Sequence, residues 1–126
     1  MRLKHVLMIG LCIGTMACSV QTEKVAEPKV LTHLVFLDLK NDINEADIQI
    51  FEEQIAKLGT IEEALSINSA FRLESNDVRA LKSDFVIQTT HKDLDALESY
   101  RKHPVHHEII EQTKRFLSVA PVTFDF

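Results

Sequence analysis

The sequence predicts an α+β domain of ferredoxin-like plan, one antiparallel sheet of four strands with helices packed on one face. Three observations predict it. Four short stretches carry apolar residues in alternation, the period of a strand. Between them lie stretches with Phe, Ile and Leu at three- and four-residue spacing, the period of a helix. Pro104 then divides the last helical stretch in two, because proline fits the first turn of a helix and breaks its interior. The resulting order is β-α-β-β-α-α-β. The 126 residues are 45% hydrophobic and 26% charged, which suits one small folded unit.

In chain order, Met1–His5 is a short basic start and Val6–Ala17 is almost wholly apolar but too short to span a bilayer. Residues 1–17 therefore predict a secretory signal peptide. Ala17 stands directly before Cys18, which resembles the lipobox of bacterial lipoproteins. That resemblance implies a lipidated Cys18 and a membrane anchor. Ser19 after it resembles the pattern of outer-membrane retention, in the envelope, facing the periplasm. Thr15-Met16-Ala17 also suits ordinary signal cleavage at the same bond. Residues 18–29 are polar, hold Pro28 and read as a flexible tether. The folded unit is expected over 30–126.

Val30–Lys40 is the first strand, with His33, Val35, Leu37 and Leu39 on one face and Leu34, Phe36 and Asp38 on the other. Asn44 caps a helix bearing Ile48, Phe51, Ile55 and Leu58, with Gly59 expected as its stop. Leu65–Leu73 is a second strand, Glu74–Lys82 a polar loop, and Asp84–His91 a third strand with Phe85 and Ile87 on one face. Asp93 caps a short helix carrying Leu94, Leu97 and Tyr100. Pro104 opens the last helix, with Ile109, Ile110, Thr113, Phe116 and Leu117 as its apolar side. Ala120–Phe126 closes the sheet, with Val122, Phe124 and Phe126 alternating.

Composition also excludes. Residues 1–17 contribute Arg2 and Lys4 and no acid, so the rest holds 12 basic residues against 19 acidic ones, a net charge of −7. An acidic domain argues against nucleic acid as a partner. Cys12 and Cys18 both lie in the first 18 residues, so the folded unit has neither a disulfide nor a thiol nucleophile. A helix-free sheet face carrying Leu34, Phe36 and Val86 is rarely left in water, and a homodimer packing two such sheets together would cover it.

The functional candidates gather at Tyr100-Arg101-Lys102-His103-Pro104-Val105-His106, where the break at His103 brings Tyr100 and His106 to one corner. His106 is the third residue of its helix, where partial positive charge disfavours the imidazolium and leaves a neutral general base. Tyr100 can donate its hydroxyl to a developing oxyanion. His33, on the helix-facing side of its strand, can line the same cavity. The plainer reading has His103 capping the helix, His106 bonded to backbone and Tyr100 packed with its hydroxyl at a rim. His91, at a strand end, reads as solvated. So do the adjacent acids Glu52-Glu53 and Glu62-Glu63. His103, His106 and His107 have no nearby Asp or Cys to complete a ligand set, so neither metal nor cofactor is expected.

With these residues placed, the chain resembles the stress-responsive A/B barrel family, dimeric α/β-barrel domains abbreviated Dabb. The resemblance rests on His33-Leu34-Val35-Phe36-Leu37-Asp38-Leu39-Lys40, on Asp93-Leu94-Asp95-Ala96-Leu97-Glu98-Ser99-Tyr100, on His103-Pro104-Val105-His106 and on Val122-Thr123-Phe124-Asp125-Phe126. It implies a homodimer through the sheet face and, in most members, no known reaction. A plant branch resembles polyketide cyclases, in which a Tyr and a His at the places of Tyr100 and His106 close a ring, with a His at the place of His33 nearby and another where this chain has Phe85. Two functions follow as expectations. One is a membrane-tethered module binding a small apolar or aromatic ligand at His33, Tyr100, His106 and Phe85. The other is a cofactor-independent cyclase or lyase acting through His106 and Tyr100.

Overall fold

The computed structural model describes residues 29–126, so the signal segment 1–17, Cys18 and nearly all of the tether lie outside the described residues. The elements are β1 (Leu31–Leu37), α1 (Glu45–Ala56), β2 (Ser66–Phe71), β3 (Phe85–His91), α2 (Leu94–Lys102), α3 (Pro104–Thr113) and β4 (Val122–Asp125). Short 3₁₀ turns, Lys57–Thr60 and Lys114–Phe116, follow α1 and α3. The sheet order is β2-β3-β1-β4, antiparallel throughout, so the first strand sits beside both the third and the last. This is the ferredoxin-like fold expected from the element order.

Each element has a local cause. The Asn44 side chain accepts from the Asp47 N–H at 2.9 Å, and the Asp47 carboxylate accepts from the Asn44 N–H in return, a reciprocal cap that starts α1. Asp93 accepts from the Ala96 N–H at 2.9 Å and starts α2. Period-two alternation puts His33 and Leu37 of β1 and Phe85, Ile87 and Thr89 of β3 on the helix-covered face, where all are buried. Phe51 and Ile55 of α1, Leu97 and Tyr100 of α2 and Ile109 of α3 meet them.

Four expectations need correction. Gly59 does not end α1 by adopting positive φ. It sits inside the 3₁₀ turn, where a Cβ would come within 3.0 Å of the Ile67 side chain, so glycine permits β2 to approach. Leu94 is 59% and Ile110 46% exposed, because the apolar stripes of α2 and α3 are narrower than simple spacing suggests. Glu63 is half-buried, and its Oε2 is shielded from solvent without a partner among the described residues. His91 is fully buried, for reasons that belong to the site.

The helix-free face is apolar around β1 and β4 and polar toward β2, where Gln88, Thr90, Ser66 and Asn68 share it. Leu34 stands opposite Phe124, and Phe36 opposite Val122 and Val86, across neighbouring strands. Val122 and Phe124 are largely exposed in the single chain.

Candidate functional site

The corner is built by His103. Its N–H donates to the Tyr100 carbonyl at 3.2 Å, ending α2, while its Nδ1 accepts from the Val105 N–H at 3.1 Å, starting α3. Pro104 follows as the first residue of α3, where its missing N–H costs nothing. One residue thus caps two helices, and the Tyr100 and His106 rings come to 4.8 Å between centroids, edge to face. β1 supplies His33 beneath them, its ring 6.5 Å from Tyr100. The three residues expected to share a cavity do so.

Two further residues belong here. Asp125 of β4 stands opposite His33 in the strand register, and its Oδ1 lies 2.5 Å from His33 Nδ1. Its Oδ2 accepts from Arg101 at 2.9 Å, while the other arm of Arg101 bonds Glu98, also at 2.9 Å. His33 Nδ1–H therefore donates to a carboxylate held by a guanidinium. When the ring carries one proton, its other nitrogen is an acceptor. Partial burial pushes the Asp125 carboxyl up, but the bond from His33 and the Arg101 guanidinium outweigh it and hold the group below its usual range. The alternation of Val122, Phe124 and Phe126 puts Asp125 on the other face of β4. Its pairing with His33 depended on the β1–β4 register.

His91 is the second. Its Nδ1 donates to the Glu63 carbonyl at 2.9 Å, so its Nε2 must accept, and the Thr89 hydroxyl donates to it at 2.8 Å. Its ring lies 4.8 Å from Tyr100. Burial holds its imidazole below the usual range, with the Glu63 carbonyl pulling the other way. His91 is the satisfied floor of the site.

His106 is different. Its Nδ1 is shielded from solvent and has no hydrogen-bond partner among the described residues. The backbone bond of the plainer reading is not formed. Burial, and after it the repulsion of His107, His33 and Arg101, pushes its pKa down to about 4. The neutral ring expected from the helix N-terminus is produced chiefly by desolvation. Burial likewise pushes the Tyr100 phenol up to about 12, so its O–H stays a donor at neutral pH.

These groups close one end of a cavity of about 420 Å³ between the sheet and α3. Val35 and Leu37 of β1, Ile55 of α1, Ile87 of β3 and Ile109 of α3 form apolar walls, and Ile110 and Lys114 stand toward the open side. That size suits a small organic ligand. Phe85 is not there. Its ring packs edge-on against Phe51 at 5.1 Å and Phe71 at 4.8 Å, at the other end of the core. Phe85 lies on the expected sheet face but six residues along β3 from His91. Among the described residues no group of three or more His, Cys, Asp or Glu is placed to hold a metal ion.

The family model described as Stress responsive A/B Barrel Domain matches residues 31–126. Similar solved structures share the fold. A hydroxynitrile lyase from Passiflora edulis has 16% identity and a TM-score of 0.69, covering 79% of this chain and 94% of its own. A dimeric ferredoxin-like protein of unknown function from Thermobifida fusca has 17% identity and a TM-score of 0.64, covering 77% and 89%. A dimeric protein of unknown function and ferredoxin-like fold from Bacteroides fragilis has 16% identity and a TM-score of 0.61, covering 77% and 94%. A search of curated proteins finds no match.

Proposed function

The chain belongs to the stress-responsive A/B barrel domain family, and from that premise we propose that it is a homodimeric module binding one small, mostly apolar ligand per chain. The cavity carries this reading: apolar walls lead to a closed end where His33, Tyr100 and His106 converge. The test is binding of an apolar fluorescent probe to the full chain. Thr123 lines the cavity from β4 and is exposed, so Thr123→Phe fills space without disturbing the core. Probe affinity should fall about tenfold or more with the urea midpoint unchanged. Unchanged affinity would place binding elsewhere.

A second reading is favoured by one observation, the His106 ring set 4.8 Å from the Tyr100 ring with no partner for its Nδ1 among the described residues, in surroundings whose burial favours a neutral imidazole and an un-ionised phenol. These are the needs of a cofactor-independent cyclase or lyase. His106 would remove a proton from the substrate, and the Tyr100 O–H would donate to the oxygen on which charge develops. The lyase among the similar folds makes this chemistry worth assaying directly.

The dimer would bury the helix-free face, as the dimeric proteins of this fold suggest. Phe36→Asp would place an unpaired charge between the sheets and should give a monomer by light scattering. The tether proposal concerns Cys18. Mass spectrometry of the mature protein from a bacterial host should find cleavage before Cys18 and a lipid on it, and an unmodified cysteine there would leave plain export.

A further inference from the structure

Resting on the ligand-binding reading, we infer that the ligand is an un-ionised alcohol, held with its hydroxyl against His106, Tyr100 and His33 and its apolar body running along α3 toward Lys114.

The head group follows from the polar atoms at the closed end. His106 lines the closed end and its ring makes no side-chain hydrogen bond among the described residues; Nδ1 is shielded by packing, which leaves Nε2 as the nitrogen a ligand can reach. A hydroxyl both donates and accepts, so it satisfies that nitrogen in either tautomer. His33 lines the same end and keeps its second nitrogen after Nδ1 is spent on Asp125, and Tyr100 lines it with a hydroxyl that Thr89 also neighbours. One alcohol oxygen can accept from the phenol while its proton goes to an imidazole.

A carboxylate head fits poorly. It has no proton to give, so it leaves an imidazole lone pair unsatisfied, and its own charge is costly in a desolvated corner. Arg101 also lines the cavity, but its one positive charge is already shared between two carboxylates, Glu98 and Asp125. Lys114 stands at the far, open side, 62% exposed and paired with Glu111. The orientation follows from α3. His106, Ile109, Ile110 and Thr113 line the cavity along one helix face, a run of about 10 Å. Apart from Thr113, every lining group between the polar end and Lys114 on that face is aliphatic.

The test compares 1-octanol, octanoate and 1-chlorooctane on the unmodified full chain at pH 7.5, by calorimetry. The alcohol should bind about tenfold tighter than the chloride, the worth of one good hydrogen bond, and tighter still than octanoate. His106→Phe keeps an aromatic ring and removes both nitrogens, so the alcohol should fall to the level of the chloride. If octanoate or the chloride equals the alcohol, the alcohol assignment is overturned while the cavity stands as a binding site. An alcohol preference that survives in His106→Phe overturns the role of that ring. If none of the three binds, the ligand-binding reading fails together with this one.

Discussion

The core has two ends built to the same geometric rule and put to opposite uses. At one end Phe51 meets Phe85 at 5.1 Å and Phe116 at 6.0 Å, and Phe85 meets Phe71 at 4.8 Å, all edge to face. At the other, Tyr100 meets His91 and His106 at 4.8 Å each and His33 at 6.5 Å, again edge-on or tilted. The first cluster has no polar atoms, so edge-on packing serves only close contact and burial. The second has a hydrogen-bonding atom on every ring, and each must be paired or left waiting. His91 is paired twice and His33 once, while the His106 ring lines a cavity with no partner for its Nδ1 among the described residues. Ring packing alone therefore does not mark a site; an unpartnered ring on a cavity wall does.

Four experiments would break or sharpen this contrast. The largest effect belongs to the hydrocarbon end. Phe51→Ala removes a fully buried ring and should cost about 3–5 kcal/mol in urea melts. A loss under about 1.5 kcal/mol would mean that this end is not the main support. Next is His91→Leu, which strands the Glu63 carbonyl and the Thr89 hydroxyl in the interior and should cost about 2–3 kcal/mol. No loss would move His91 from floor to binding group.

The third is a pH dependence. An unfolded histidine takes its proton near 6.5, while folded His106 resists until about 4. Between those values the unfolded chain binds more protons, so stability is full above pH 6.5 and declines as pH falls toward 4. The expected contribution is about 2 kcal/mol after allowing for partial solvent access. It should shrink in His106→Phe, and an equal slope in both proteins would assign the effect to other groups. Asp125, depressed below its ordinary value, acts in a separate window. Its stabilisation is present above the usual carboxylate pKa and is lost as pH falls through its lower folded value. The smallest effect is Tyr100→Phe, which leaves the packed ring in place and removes a hydroxyl at the cavity. It should cost about 1 kcal/mol or less in stability while changing probe binding. A large drop in midpoint would make that hydroxyl architecture.

What the chain disclosed about itself divides along a similar line. Caps and alternation are local, so Asn44, Asp93, Pro104 and the faces of β1 and β3 could be read directly. The corner could be read as well, because Tyr100 and His106 are only six residues apart. Asp125 and His33 are 92 residues apart and meet through the β1–β4 register, which no local pattern encodes. His91 looked solvated because it ends a strand. The segment at Glu63, just before β2, runs against the end of β3 and bonds the His91 ring. Phe85 was placed on the correct face and at the wrong end, since alternation fixes the side of a sheet and says nothing of position along it.

One residue of this corner has a mechanical consequence. Between the last bond of α2 and the first of α3 the chain has a single link, His103, with φ −63° and ψ 136°, followed by a proline whose φ is fixed by its ring. The joint therefore has little slack: the direction of α3 relative to α2 hangs on the two backbone torsions of one residue, His103. One residue added to α3 between Pro104 and His106 would turn the downstream face of that helix by about 100°. His106 and the α3 wall beyond it would then turn together, away from Tyr100 and His33. Length at this bend is constrained as tightly as residue type, and the corner should accept many substitutions before it accepts a single insertion.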